Sequence, residues 1–177
     1  ANRTEMGELH QQEMIDGLRK TRAVIDDFNP DAVIIFGDDQ YENFREDIIP
    51  PFSILCMDEF YAHPLRSHAQ NVWNEPRDKV FNYPGAGLLA KHIATELIDR
   101  DFPIPYAYKP AHFEGGIPHA FANGLIFLDW DRKGWTYPII PISVNCYGPN
   151  IIWARGGLGH FRRSQEDRKD PYMDFPG

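Results

Sequence analysis

Apolar and polar positions alternate along this chain in patterns that predict most of its elements. From about Glu5 to Phe28, Met14, Leu18, Ile25 and Phe28 recur at helical spacing with charges between them, which predicts an amphipathic helix ended by "NPD". Ala32–Phe36 is a short continuous apolar run, the signature of a central parallel strand. "IIPPFSILCM" predicts a second strand opened by proline, and His63–Pro84 is polar and without a period. Gly85–Arg100 predicts a second helix, with Leu88, Leu89, Ile93 and Leu97 on one face. "DFPIPYAY" reads as a strand, "PAHFEGGIPHAFANG" as a glycine-rich loop, and "LIFLDW" and "YPIIPISVNCY" as further apolar runs, the second strongly β in character. The tail from Gly156 onward has no apolar period and reads as a loop or insertion. There is no internal repeat.

This order predicts one α/β domain over residues 1–177, with a central, mostly parallel sheet flanked by helices. The opening "ANRTEMGELHQQ" reads as already entering a helix, and the closing "DPYMDFPG" reads as a loop. The expectation is therefore a piece of a longer chain, lacking a first strand and a C-terminal part. In open α/β sheets, sites lie beyond the carboxyl ends of the strands. "GDDQYE", directly after the first apolar run, stands where such a strand delivers side chains.

Composition narrows the function. The chain is 42% hydrophobic and 25% charged, as expected of a globular protein. Its net charge of −8 argues against nucleic acid or an anionic membrane as main partner. No apolar run reaches the ~18 residues of a membrane span. Cys56 and Cys146 lie far apart and read as reduced, inert thiols of a cytoplasmic protein.

Three segments carry a resemblance. "DQYENFREDIIPPF" (Asp39–Phe52) aligns without a gap with a motif reading D-H-Y-N-G-F-F-x-D-x-x-P-P-F. "GGIPHAFANGLIF" (Gly115–Phe127) is similar to a D-H-G-x-x-x-P-L loop, and "YPIIPISVN" (Tyr137–Asn145) to an I-P-V-V-P-I-S-x-N strand. Together they resemble the class III extradiol ring-cleavage dioxygenases of the catalytic-subunit-B type, over about Asn29 to Gly148. The resemblance implies a non-haem iron(II) site of two histidines and one carboxylate, open to a catechol-like substrate and O2. It implies insertion of both oxygen atoms into the ring beside its hydroxyls.

The resemblance puts Gln40 at a metal-ligand position where the family has histidine, and an amide oxygen is a weaker iron ligand than imidazole. The family's other two ligands would lie before Ala1 and after Gly177, in the missing parts of the same protein or in a second chain completing the site; a homo-oligomer is a further expectation. His119 matches the family's acid/base histidine, a residue type that titrates near neutrality and suits proton transfer with a catechol hydroxyl. The alternative for His119 is a surface histidine bonded to backbone. His160, in "RGGLGHF", is a second catalytic candidate by its likeness to a late G-G-x-S-H motif, and His112 a weaker neighbour.

Asp39 either contacts substrate or caps the turn after the strand, as does Asp38. Tyr41, Phe44 and Phe121 are candidate walls for an aromatic ring. Glu42 reads as solvated, His63 and His68 as surface histidines, and His92 as a packing residue. The competing functional reading is a non-catalytic or divergent member of the same fold that binds a phenolic ligand or serves as an interaction subunit.

Overall fold

A computed structural model describes residues 3–45, 47–66 and 71–145. The chain order is α1 (Arg3–Phe28), β1 (Val33–Asp39), β2 (Phe52–Leu55), β3 (Glu59–Ala62), β4 (Phe81–Pro84), α2 (Gly87–Asp99), β5 (Tyr106–Ala107), a 3₁₀ turn (Phe113–Gly115), α3 (His119–Leu128) and β6 (Ile139–Asn145). The main sheet has the order β1-β6-β2-β5. β1 and β6 run parallel from Val33↔Ile139 to Asp39↔Asn145, and β2 and β5 are parallel as well. β6 and β2 are antiparallel. The expected α/β domain with a mostly parallel, helix-flanked sheet is therefore present, as a mixed sheet. β3 and β4 form a separate antiparallel hairpin.

The two faces of the sheet bury different residues, because successive strand side chains point to opposite sides. On one face Leu55 and Ile139 pack with Phe121, Ala122 and Leu125 of α3, and Val33 and Ile35 join them. On the other, Ile54, Ile140 and Ile142 pack with Ala90 and Ala94 of α2. α3 is apolar nearly all round, as befits a helix enclosed by its neighbours. Burying a side chain such as Phe121 contributes roughly 1.5–3 kcal/mol.

Several local expectations change. "GGIPHAFANGLIFL" is not a loop followed by a separate apolar run: Pro118 sits just before the first turn of α3, where its missing N–H costs nothing, and the helix runs through Gly124 to Leu128. His119 is therefore the first residue of a helix. Among the described residues the strand over Ala32–Phe36 has a partner on one side only, and Ile34 and Phe36 are exposed at 48% and 72%. α2 covers the β2 and β6 side of that face and leaves these two side chains in solvent.

On α1 the half-buried positions are Ile15, Leu18, Arg22 and Ile25, while Met14 and Phe28 are exposed. Asn29, at φ 48°, ends that helix in the left-handed conformation and donates its N–H to Ile25 O, with Pro30 following. On α2 the buried face is Gly87, Ala90 and Ala94, helped by Ile93 and Leu97. Leu88 and His92 face solvent, so His92 is not a packing residue. Small residues win the inner face because α2 lies close to its neighbours: a Cβ at Gly87 would stand 2.4 Å from Asp58 Oδ1.

One contact sets the position of the site. β1 crosses α3 at Gly37, where a Cβ would stand 2.9 Å from the Phe121 ring. Only glycine permits that approach. It brings the turn after β1 beside the start of α3.

Candidate functional site

The turn after β1 is built around Asp39. Its side chain is fully buried, and its carboxylate accepts the Glu42 N–H at 2.8 Å and the Asn43 N–H at 3.0 Å. Burial pushes the Asp39 carboxyl up from its usual range, against the opposing pull of the Glu42, Asn43 and Phe44 backbone. Asp39 thus caps the turn, the second of the roles its sequence allowed. Tyr41 takes a left-handed φ of 67° in the same turn, partly buried, with the Arg45 guanidinium 6.0 Å from its ring centroid. Asn43 donates its amide to Gly116 O at 3.0 Å, which fastens the turn to the segment entering α3.

That segment is held from the other side too. Ile117 N–H donates to Tyr61 O at 2.9 Å, and Ala62 bridges Gly116 in antiparallel fashion. Gly116 has φ 85°, and a Cβ there would stand 2.3 Å from Tyr61 O. Glycine is required on both counts.

Between these two anchors Glu42 meets His119. The Glu42 carboxylate accepts the His119 backbone N–H at 3.2 Å and its Nδ1 at 2.9 Å. A carboxylate at a helix N-terminus satisfies an otherwise orphaned N–H and complements the helix dipole. It also fixes the tautomer. A carboxylate only accepts, so Nδ1 carries the proton, and in the neutral ring Nε2 keeps its lone pair. The pair is half exposed, so its contribution to stability is small. Its chemical consequence is an oriented imidazole.

Glu42 and His119 border a cavity of about 160 Å³ with His63, Pro64, Gly115, Ile117, Ala122 and Asn123. Sequence reasoning read Glu42 as solvated and His63 as a surface residue; the structure puts both at this cavity. No local signal marks Glu42, because its partner lies 77 positions away.

The other candidates fall elsewhere. Gln40 is exposed and donates its amide N–H to Asp38 Oδ2 at 2.6 Å. Phe44 and Phe121 are expected as ring walls, yet both are core residues packed among Leu55, Leu125 and Ile139, and neither borders the cavity. His112 pairs with Asp47 at 3.0 Å away from the cavity lining. Cys56 is buried, and burial pushes its thiol up, away from the reactive thiolate. His160, His68 and Cys146 lie outside the described residues.

Among the described residues, no three His, Cys, Asp or Glu side chains gather as a metal-holding cluster. The amide of Gln40 is turned to Asp38. The described residues by themselves do not fit the two-histidine, one-carboxylate iron site that the resemblance implies. Among the described residues, no helix is long and apolar enough to cross a membrane.

The histidine at the start of α3 and the small cleft it borders lie beyond the carboxyl end of β1, where open α/β sheets carry their sites. Residues 3–150 match the family described as the catalytic LigB subunit of aromatic ring-opening dioxygenase, and the chain belongs to that family. It is 29% identical over 139 residues to 2,3-dihydroxyphenylpropionate/2,3-dihydroxicinnamic acid 1,2-dioxygenase 2 of Pseudomonas putida, covering 78% of this chain and 38% of that protein. The 2,3-dihydroxyphenylpropionate/2,3-dihydroxicinnamic acid 1,2-dioxygenase of Comamonas testosteroni is 30% identical over 130 residues, with 70% and 33% covered. The protein of the same description from Paraburkholderia xenovorans (strain LB400) is 24% identical over 151 residues, with 85% and 39% covered. The chain thus spans little more than a third of the length of these curated relatives.

Proposed function

We propose that this chain is the part of an extradiol aromatic ring-opening dioxygenase that handles the protons of a catechol-type substrate. The observation that carries the reading is the Glu42–His119 pair at the cavity edge. Glu42 holds the Nδ1 proton, and Nε2 of His119 is the base that takes a proton from a ring hydroxyl and later returns it. Family membership supports ring opening with O2 as the reaction class. Iron(II) is the proposed cofactor of the full-length protein; it would supply the binding of catecholate and dioxygen side by side, and ligands beyond the described residues must complete its site. Localisation is proposed as cytoplasmic, in keeping with the reduced-thiol reading of the sequence.

Oxygen uptake by the iron-loaded, full-length protein with a panel of catechols tests this reading. Turnover is expected from the native protein. His119→Ala should retain iron and lose turnover by about 10²–10⁴-fold. Loss of iron together with activity would recast His119 as a ligand, and unchanged uptake would remove it from the mechanism.

The engagement of Gln40 with Asp38 favours a second reading, a family member that binds a phenolic ligand without opening its ring. Catechol binding by a full-length protein that neither retains iron nor consumes oxygen would establish that alternative.

A further inference from the structure

Glu42 and Asn43 are neighbours in the turn after β1, and each reaches a different point of the segment entering α3. Glu42 meets the backbone N–H and Nδ1 of His119, while Asn43 donates its side-chain amide to Gly116 O at 3.0 Å. The surroundings of the two contacts differ. The side chains of His119 and Glu42 are 46% and 35% exposed, so water competes for their hydrogen bonds, and such a pair holds its own geometry weakly. Asn43 is buried. A hydrogen bond closed off from water is costly to break, because the carbonyl left behind has no solvent to turn to.

Both ends of the Asn43 bond are anchored. The Asp39 carboxylate accepts the Asn43 backbone N–H at 3.0 Å and the Glu42 N–H at 2.8 Å, so the two side chains leave one fixed stretch of backbone. On the far side Gly116 bridges Ala62, and the Ile117 N–H donates to Tyr61 O. Asn43 thus ties two ordered parts of the molecule together beside the exposed pair. In the motif that Asp39–Phe52 resembles, the positions of Glu42 and Asn43 read N and G. Glycine has no amide to donate, so this tie belongs to the present chain and not to the motif.

We propose that Asn43 is a positioning residue of the site: its buried amide keeps the β1 turn against the α3 entry, and so keeps the Glu42 carboxylate on Nδ1 of His119. The inference rests on the reading of His119 as the base for a catechol hydroxyl. Asn43 is not among the residues that border the cavity, so it acts through Glu42 and not on the substrate. A Glu42 that drifts away releases Nδ1, and the ring is then free to turn or to carry its proton on Nε2, the nitrogen that has to accept one. The loss therefore falls on turnover and leaves the contacts that bind the ring in place.

The test measures oxygen uptake with catechol by the full-length protein in its native, Asn43→Ala, Glu42→Gln and doubly substituted forms. Asn43→Ala is expected to lower kcat per folded molecule about tenfold, with KM changed by less than about twofold. In the Glu42→Gln background the same substitution should change kcat by less than about twofold, because the contact that Asn43 keeps in place is already lost. A purely structural role would lower the amount of folded enzyme and leave kcat per folded molecule alone, or would lower kcat by the same factor in both backgrounds. Either result overturns the role of Asn43.

Should Asn43→Ala fail to fold, native-state hydrogen exchange of the native full-length protein keeps the inference falsifiable. Exchange of the His119 N–H and the Asn43 side-chain amide in one opening event supports it. A His119 N–H that exchanges while the Asn43 amide stays protected overturns it and leaves the base reading intact. Native turnover that survives His119→Ala, or a native protein without oxygen uptake, overturns the base reading and this inference with it.

Discussion

Two histidine–carboxylate pairs join the loop after β1 to the segment that enters α3. His119 meets Glu42 at 2.9 Å, and His112 meets Asp47 at 3.0 Å. All four side chains are partly exposed, and the two distances are nearly equal. The surroundings differ. Glu42 also accepts a backbone N–H at the start of α3, and its pair borders a cavity shared with His63. Asp47 and His112 border no part of that cavity. Distance alone therefore does not define a candidate site. The helix end that fixes the carboxylate, and the cavity beside it, distinguish the pair proposed to be functional from the other.

The contrast has a steep test. In the full-length protein His119→Ala should reduce oxygen uptake by about 10²–10⁴-fold, while His112→Ala should change it by less than about twofold. Equal losses from both variants would mean that the cavity is not what distinguishes the pairs.

A smaller effect is expected from the backbone between them. Gly116 lies between His112 and His119, takes φ 85°, and packs against Tyr61 O. Gly116→Ala adds both a left-handed strain and a clash with backbone. It should cost about 2–4 kcal/mol in chemical denaturation. The folded fraction should also lose turnover, because Asn43 and Glu42 would no longer meet the α3 entry in register. Unchanged stability would show that this segment is looser than the Tyr61, Ala62 and Asn43 contacts imply.

The smallest effect concerns the surface pair. Partial desolvation alone would raise the Asp47 carboxyl, but the hydrogen bond and charge of His112, together with the Asp47 and Ile48 backbone N–H groups, hold it below its usual range. A carboxyl depressed in the folded state adds stability that is full above its unfolded pKa and is lost as pH falls through the folded one. Thermal unfolding of the native protein should therefore lose a small increment relative to His112→Ala across that acidic window, and less at high salt. Parallel curves for the two proteins would show that the pair has no energetic coupling.

Much of the frame was legible because strands and helices carry their periods locally. β6 and β2 were readable as apolar runs, and the α1 period ended where Asn29 and Pro30 end the helix. The exposure of Ile34 and Phe36 on β1 among the described residues was not readable, because "AVIIF" is apolar on both faces and only the tertiary arrangement decides which face is covered. α3 was hidden by its own start: glycines and a proline before His119 look like a loop, although proline also opens helices. Of the site, His119 stood out by its motif. Glu42 and His63 did not, since one depends on a partner 77 positions away and the other on a cavity assembled from three separate stretches. Phe44 and Phe121 show a different ambiguity. Aromatic residues near a site motif suit a ring pocket, but they fill a core just as well, and here the core holds them.

The central question for this site is whether Glu42 acts through His119. A double-mutant cycle in oxygen uptake by the full-length protein, with Glu42→Gln, His119→Ala and the combination, measures that directly. Losing a charge-assisted hydrogen bond of about 1.5–3 kcal/mol predicts a fall of about ten- to a hundredfold for Glu42→Gln alone. In the His119→Ala background the same change should have no further effect, because the imidazole that Glu42 orients is gone. Independent, multiplying losses from the two substitutions would contradict the account.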